Sequence, residues 1–222
     1  MRGHEMFVEL SHPIEDGLIT HPGLPAPSIS DFLSREQSRE RYEEGTSFQI
    51  ARVEMVVNTG TYVDAPFHRF VNGRDIASLS LQSLADLDGV VIRATERSSR
   101  VVDPSFFREA DIRDKAVLIH TGWSEHWGEP AYAEAHPFLT AETATLLAEG
   151  GATLVGIDTL NVDDLADGGR PAHTIFLQRG IPIVEHMCGL EMLPDSGFRF
   201  FAVPAPFRNV GSFPVRAFAI VG

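Results

Sequence analysis

Apolar and polar residues alternate over 47–57, SFQIARVEMVV, and a period of two predicts a strand there. Residues 7–10 read as a short opening strand. Short apolar runs at 90–94, 116–120, 153–157, 181–184 and 216–221 read as further strands. Two segments predict helices. Residues 140–149, TAETATLLAE, predict a helix ended by Gly150 and Gly151, since glycine takes up the left-handed turn that closes a helix. Residues 30–44 predict a charged helix with Ser30 or Asp31 as N-cap. Between the first two elements, HPIEDGLITHPGLPAP (12–27) combines fixed proline torsions with permissive glycines and predicts an irregular loop. Strands outnumber helices and the two are mixed along the chain, so the expected class is α/β or α+β. No repeat, low-complexity tract or linker interrupts the pattern, and 222 residues suit a single domain over 1–222.

Composition changes this picture little. Hydrophobic residues make up 43% and charged residues 22%, close to globular averages. The net charge of −13, from 31 acids and 18 bases, repels phosphate backbones and anionic lipid, so neither nucleic acid nor a membrane is an expected partner. The single cysteine, Cys188, allows no intrachain disulfide and no thiolate cluster, and suits a reducing, cytoplasmic setting. The N-terminal segment carries no apolar core of signal-peptide length, and no window reaches the length that spans a bilayer.

Several chemical templates are missing: a G-x-S-x-G elbow, a phosphate-cradling glycine loop, a dinucleotide fingerprint and H-E-x-x-H. The segment NTGTYVDAPFH (58–68) stands out instead. It follows a strand directly and brings Asn58, Tyr62, Asp64 and His68 together, braced by Gly60 and Pro66. Residues two apart in an extended chain share a side, so this reads as the wall of a site. The bland reading is a turn with a capping Asp and a surface His. Further on, His173 lies in what reads as a loop, GGRPAHTIF, and Glu185 closes the apolar run at 181–184. Imidazole and carboxylate are ordinary ligands of zinc or manganese.

The 58–68 segment resembles the signature H-x-G-T-H-x-D-x-P-x-H of the cyclase family, which includes kynurenine formamidases and isatin hydrolases. Other blocks resemble that family in the same order: VELSHPIEDGLITHPGLP, VLIHTGW (117–123), VGIDTLNVDD (155–164), HTIFLQRGIPIVEHMCGLEML (173–193) and FRNVGSFPVRAFAI (207–220). The resemblance implies a swivelling β/β/α-type α/β fold, with a central mixed sheet or barrel flanked by helices. It also implies a homodimer or homotetramer in which the proline-rich loop reaches a neighbouring subunit, and a small-molecule substrate. By position it assigns Asp64, His173 and Glu185 to one divalent metal ion, zinc or manganese. It assigns His68 to proton transfer.

Asn58 and Tyr62 stand where the motif has its two leading histidines, so a first metal position has lost two ligands. The remaining set predicts one metal, with Tyr62 donating to a developing oxyanion beside Asp64 and His68. The implied reaction is metal-assisted hydrolysis of a small amide, lactam or lactone. A metal-free lyase or cyclase using His68 and Tyr62 is the alternative, as is a non-catalytic small-molecule binder. His21, Asn58 and Arg69 are the expected substrate contacts. His21 stands where the formamidases offer an aromatic, which argues against N-formylkynurenine itself. His12, His120, His126, Trp127, His186 and Cys188 read as loop, core or inert positions, and Asp158 and Asp163 as turn caps.

Overall fold

A computed structural model of the chain describes residues 5–222. Strand β1 (Met6–Glu9) opens the chain. After a long loop come β2 (Ser28–Leu33), α1 (Arg35–Arg39), β3 (Ile50–Glu54) and β4 (Tyr62–Asp64). Next are β5 (Leu87–Arg93), β6 (Val101–Val102), β7 (Ala116–His120), β8 (Phe138–Leu139), α2 (Ala141–Gly150), β9 (Leu154–Ile157) and α3 (Pro171–Gln178). The last four strands are β10 (Ile183–Glu185), β11 (Ser196–Phe201), β12 (Ser212–Pro214) and β13 (Phe218–Val221).

Among the described residues nine strands form one curled mixed sheet in the order β1-β13-β11-β5-β7-β9-β10-β4-β12. The four central strands from β5 to β10 run parallel, and the outer pairs are antiparallel. The sheet's two faces carry separate apolar clusters, because successive side chains on a strand point to opposite sides. On β7, Leu118 joins the cluster that holds Val63, Val184 and Phe200, while Val117 and Ile119 join the one that holds Leu147, Phe176 and Leu177. Helices α2 and α3 therefore cover one face only, a refinement of the expected flanked sheet. Among the described residues no helix is long and apolar enough to cross a membrane.

Two local expectations are corrected. Residues 30–44 are not one helix. SISDFL pairs with β3 as a strand, and α1 begins only after Ser34, whose hydroxyl accepts from Gln37 N–H while Gln37 reaches back in a capping box. The charge pattern favours a helix, but the capping box sets where it starts, three to four residues beyond the expected cap at Ser30 or Asp31. Likewise His173 lies in α3, not in a loop: Pro171 presets the first turn and the side chain of Asp163 accepts from Ala172 and His173 N–H. Helix α2 begins at the Thr140 cap and ends at Gly151 in the left-handed conformation.

Candidate active site

Strand β4 lies between β10 and β12, and its register builds the base of the site. Tyr62 pairs with Glu185, and Asp64 pairs with Ser212. Directly opposed residues on neighbouring strands share a face. Val63 points the other way, into the opposite cluster. Tyr62, Asp64, Glu185 and Ser212 thus face the side that α3 covers, and His173 descends onto them.

All four are buried, and Asp64, Glu185 and Ser212 are completely inaccessible. The Tyr62 hydroxyl donates to Glu185 Oε2 at 2.6 Å, and Val162 N–H donates to Glu185 Oε1 at 2.7 Å. Ser212 Oγ donates to Asp64 Oδ1 and lies 2.8 Å from His68 Nδ1. Asp163 Oδ2 lies 2.7 Å from His173 Nδ1. That leaves His173 Nε2 facing Asp64 Oδ2 and Glu185 Oε1, 3.6 Å from each.

The charges are tightly linked. Burial favours the neutral form of Asp64, but His68, His173 and the Ser212 hydroxyl outweigh it and hold the carboxyl below its usual range. Burial, with Asp64 nearby, lifts Glu185 to about 7 against the pull of His173. Burial also opposes a charge on His173, yet Glu185, Asp163 and Asp64 together raise it to about 10. Burial and the Glu185 carboxylate push Tyr62 far above the ordinary phenol range, so it is a neutral donor.

This arrangement fits a divalent cation. Among the described residues Asp64 Oδ2 is a buried carboxylate oxygen with no hydrogen-bond partner, and such an atom calls for a water, an ion or a catalytic role. Two donors of a tetrahedral zinc lie roughly 3.4 Å apart, close to the 3.6 Å between His173 Nε2 and its two carboxylate neighbours. Asp163 accepting from Nδ1–H turns Nε2 toward them, so a cation that displaced the Nε2 proton would meet a histidine already oriented by a carboxylate, the usual support of a metal ligand. The donor atoms of Asp64, His68 and His173 all lie within 4.8 Å of one another. Glu185 is outside that trio, and both its oxygens are already engaged by Tyr62 and Val162.

Above this base lies a cavity of about 270 Å³. His21 and Leu24 of the N-terminal loop, Asn58, Tyr62, His68 and Arg69 line it, opposite Asn161, Arg170 and His173. The expected substrate contacts His21, Asn58 and Arg69 therefore share one wall system with His68 and Tyr62, while Asp64 and Glu185 lie beneath. The Tyr62 proton goes to Glu185 rather than into the cavity.

Sequence reasoning passed over Ser212, Asn161 and Arg170, and saw Asp163 only as a cap. It is a cap, and it also orients His173. Asp158 caps the 121–122 turn, accepting from Thr121 and Gly122 N–H. His120 Nδ1 lies 3.1 Å from Arg93 Nη1, and burial raises the Cys188 thiol to about 11, so neither joins the site. His186 sits just past β10 at φ +56°, with its ring packed among Tyr62, Trp127 and Tyr132 rather than alternating along a strand. His12 stacks on Trp127 with ring centroids 3.9 Å apart.

A family model named Cyclase, described as "Putative cyclase", matches residues 8–164. The chain belongs to the cyclase family. Relatives match the chain beyond that stretch, over the part that holds His173 and Glu185. The kynurenine formamidase of Bacillus cytotoxicus is 28% identical over 211 residues, covering 95% of each chain. That of Bacillus cereus is 29% identical over 212 residues, again covering 95% of each. The cyclase-family fold also appears in the isatin hydrolase A of Labrenzia aggregata, at a TM-score of 0.82 and 22% identity, covering 98% of this chain and 94% of that one.

Proposed function

We propose that the chain is a metal-dependent hydrolase of a small amide, lactam or lactone. One observation carries the reading: the unpartnered buried oxygen of Asp64 facing the outward nitrogen of a histidine that Asp163 has oriented. Relatives named as kynurenine formamidases, and a solved structure named as an isatin hydrolase, support hydrolysis of a C–N bond. Asp64 and His173 would hold zinc or manganese, with Glu185 completing the set. Bound there, the cation supplies Lewis acidity toward the scissile carbonyl and acidifies a water.

Ser212 supports leaving His68 out of the ligand set. Its single proton goes to the ionised Asp64, so Ser212 Oγ must accept from His68 Nδ1–H. The other ring nitrogen, Nε2, then carries a lone pair. The ring lines the cavity and its side chain is 36% exposed. His68 is therefore placed to take a proton from the attacking water and return it to the leaving nitrogen or oxygen. Tyr62 holds Glu185 in place, and His21, Asn58 and Arg69 are polar groups of the cavity wall that the substrate would meet.

The partner proposed besides substrate is a second copy of the chain. The β2–β3 hairpin leaves Phe32, Phe48, Ile50 and Val53 exposed, and a two-stranded hairpin is marginal by itself. The lone Cys188 supports a reducing, cytoplasmic setting.

A metal-free reading has one observation on its side. With His173 raised to about 10, its own proton can balance the carboxylates. That would leave His68 for lyase or cyclase chemistry. The test is turnover of formanilide, a cyclic imide and a lactone by protein stripped with chelator and then reloaded. Hydrolysis that returns only with zinc or manganese supports the first reading. Equal turnover by the stripped protein overturns the metal requirement and leaves His68 as a metal-free acid–base; no turnover in either form leaves the lyase or cyclase reading.

A further inference from the structure

We propose that Arg69 and Arg170 form an anion seat at the mouth of this cavity, so that the substrate is a small amide, lactam or lactone bearing a carboxylate. The inference rests on the hydrolase reading and narrows its substrate class.

The chain carries −13 overall, yet the cavity wall contains two arginines, three histidines and no acidic residue. Among the described residues neither arginine is ion-paired, whereas Arg100 close by pairs with Asp164. At physiological salt the screening length is about 8 Å, so distant surface acids do little to offset a local pair of guanidiniums.

The two arginines are fastened to each other through Thr174. Its hydroxyl accepts from Arg69 Nε at 3.3 Å and donates to the Arg170 carbonyl at 2.8 Å. Arg69 rests over the Phe70 ring at 5.7 Å, and Arg170 Nη1 donates to the Asp164 carbonyl at 3.2 Å. Each guanidinium has five N–H donors, so both keep several free. Planar guanidiniums match a carboxylate in a way that a point charge does not.

Arg170 also occupies an uncomfortable backbone position. At φ +48° and ψ +60° it is left-handed and immediately precedes Pro171, although Gly168 and Gly169 lie just before it. Both features disfavour a residue with a side chain. Strain of this kind concentrates at ligand clamps, where the side chain's position is what the fold retains. Arg69 follows His68 directly, and Arg170 lies three residues before His173. A carboxylate held between the two arginines would therefore leave the rest of a small substrate over the two imidazoles.

The test compares 2-formamidobenzoate with formanilide, which share the scissile amide and differ in the carboxylate. Wild type is measured beside Arg69→Met, Arg170→Met and Arg170→Lys, with melting temperatures to confirm folding. The seat predicts that wild type prefers the anion. Each Met variant should lower the ratio of the two kcat/KM values by about ten-fold or more, mostly through KM, with part of the preference kept by Arg170→Lys. No preference in wild type, or equal losses for both substrates, would overturn it. If neither compound turns over, the hydrolase reading is judged by the imide and the lactone, separately from the seat. Calorimetric binding of benzoate against benzamide then decides the seat: benzoate weakened about ten-fold or more in the Met variants supports it, and equal binding, or none by wild type, overturns it.

Discussion

Replacing Asp163 tests how much of the site depends on a residue that never faces the cavity. Its carboxylate accepts three hydrogen bonds: from Ala172 N–H at 2.6 Å, from His173 N–H at 3.0 Å and from His173 Nδ1 at 2.7 Å. Burial favours its neutral form, but the bonds from His173 and Ala172 keep it below the ordinary range, so it is an anion at neutral pH. Asp163→Ala removes a helix cap, worth about 1 kcal/mol, and a charge-assisted bond worth about 1.5–3 kcal/mol. The sum is about 3 kcal/mol, or a melting point lower by roughly 6–12 °C for a chain of this size.

Asp163→Asn is the sharper probe, since it keeps the shape. If its oxygen continues to cap the helix, its NH₂ must face His173 Nδ1. That nitrogen then has to accept, and the ring proton moves to Nε2, where a cation should bind. Loss of such an outer partner typically weakens metal affinity 10–100-fold. The assay is zinc titration against a competing chelator, with melting curves alongside. A stable Asp163→Asn protein that binds zinc as tightly as wild type would show that Asp163 does not set the His173 tautomer for a metal.

Three further outcomes follow. Ser212→Ala leaves the buried Asp64 carboxylate without a hydroxyl donor and frees the His68 ring; kcat should drop about 10–100-fold while metal content stays near wild type, as single-turnover kinetics and elemental analysis on one preparation would show. Gly211→Ala should disable the site, because an added Cβ would fall 2.5 Å from His68 Cα and 2.7 Å from its backbone nitrogen; crystals of a fully active variant with His68 unmoved would contradict this. Burial lowers His12 to about 4 and His186 well below the usual histidine range, so both are neutral in the folded chain. Their contribution to stability is complete above about pH 6.5, the unfolded value, and is lost as pH falls toward 4. Melting temperature should drop across that interval, and His12→Phe, which keeps a ring on Trp127, should flatten the decline.

Much of the architecture was legible because its signals are local. The alternation over 47–57, the apolar runs of β7 and β9, and the Thr140-to-Gly151 helix each follow from period and caps. The 30–44 segment misled because charged, non-periodic residues fit a surface hairpin as well as a helix, and the pairing with β3 is a long-range choice. The site was legible where chemistry lies in one stretch, from Asn58 to Arg69, and where a block matched the family, as at His173 and Glu185. Ser212 escaped because nothing in GSFP marks it until β12 pairs with β4. Arg170 escaped because its left-handed backbone and its bridge through Thr174 to Arg69 exist only in the fold. Tyr62 was seen as an oxyanion donor, but cross-strand register places its phenol on Glu185.

The chemistry proposed for this cavity turns on a divalent metal at Asp64 and His173. Elemental analysis of protein purified without chelator or added metal, wild type beside His173→Ala, tests it most directly. Wild type should carry about one zinc or manganese per chain, and the folded variant should lose it. Wild-type protein that takes up no metal after soaking, or a variant that keeps its full complement, would contradict it.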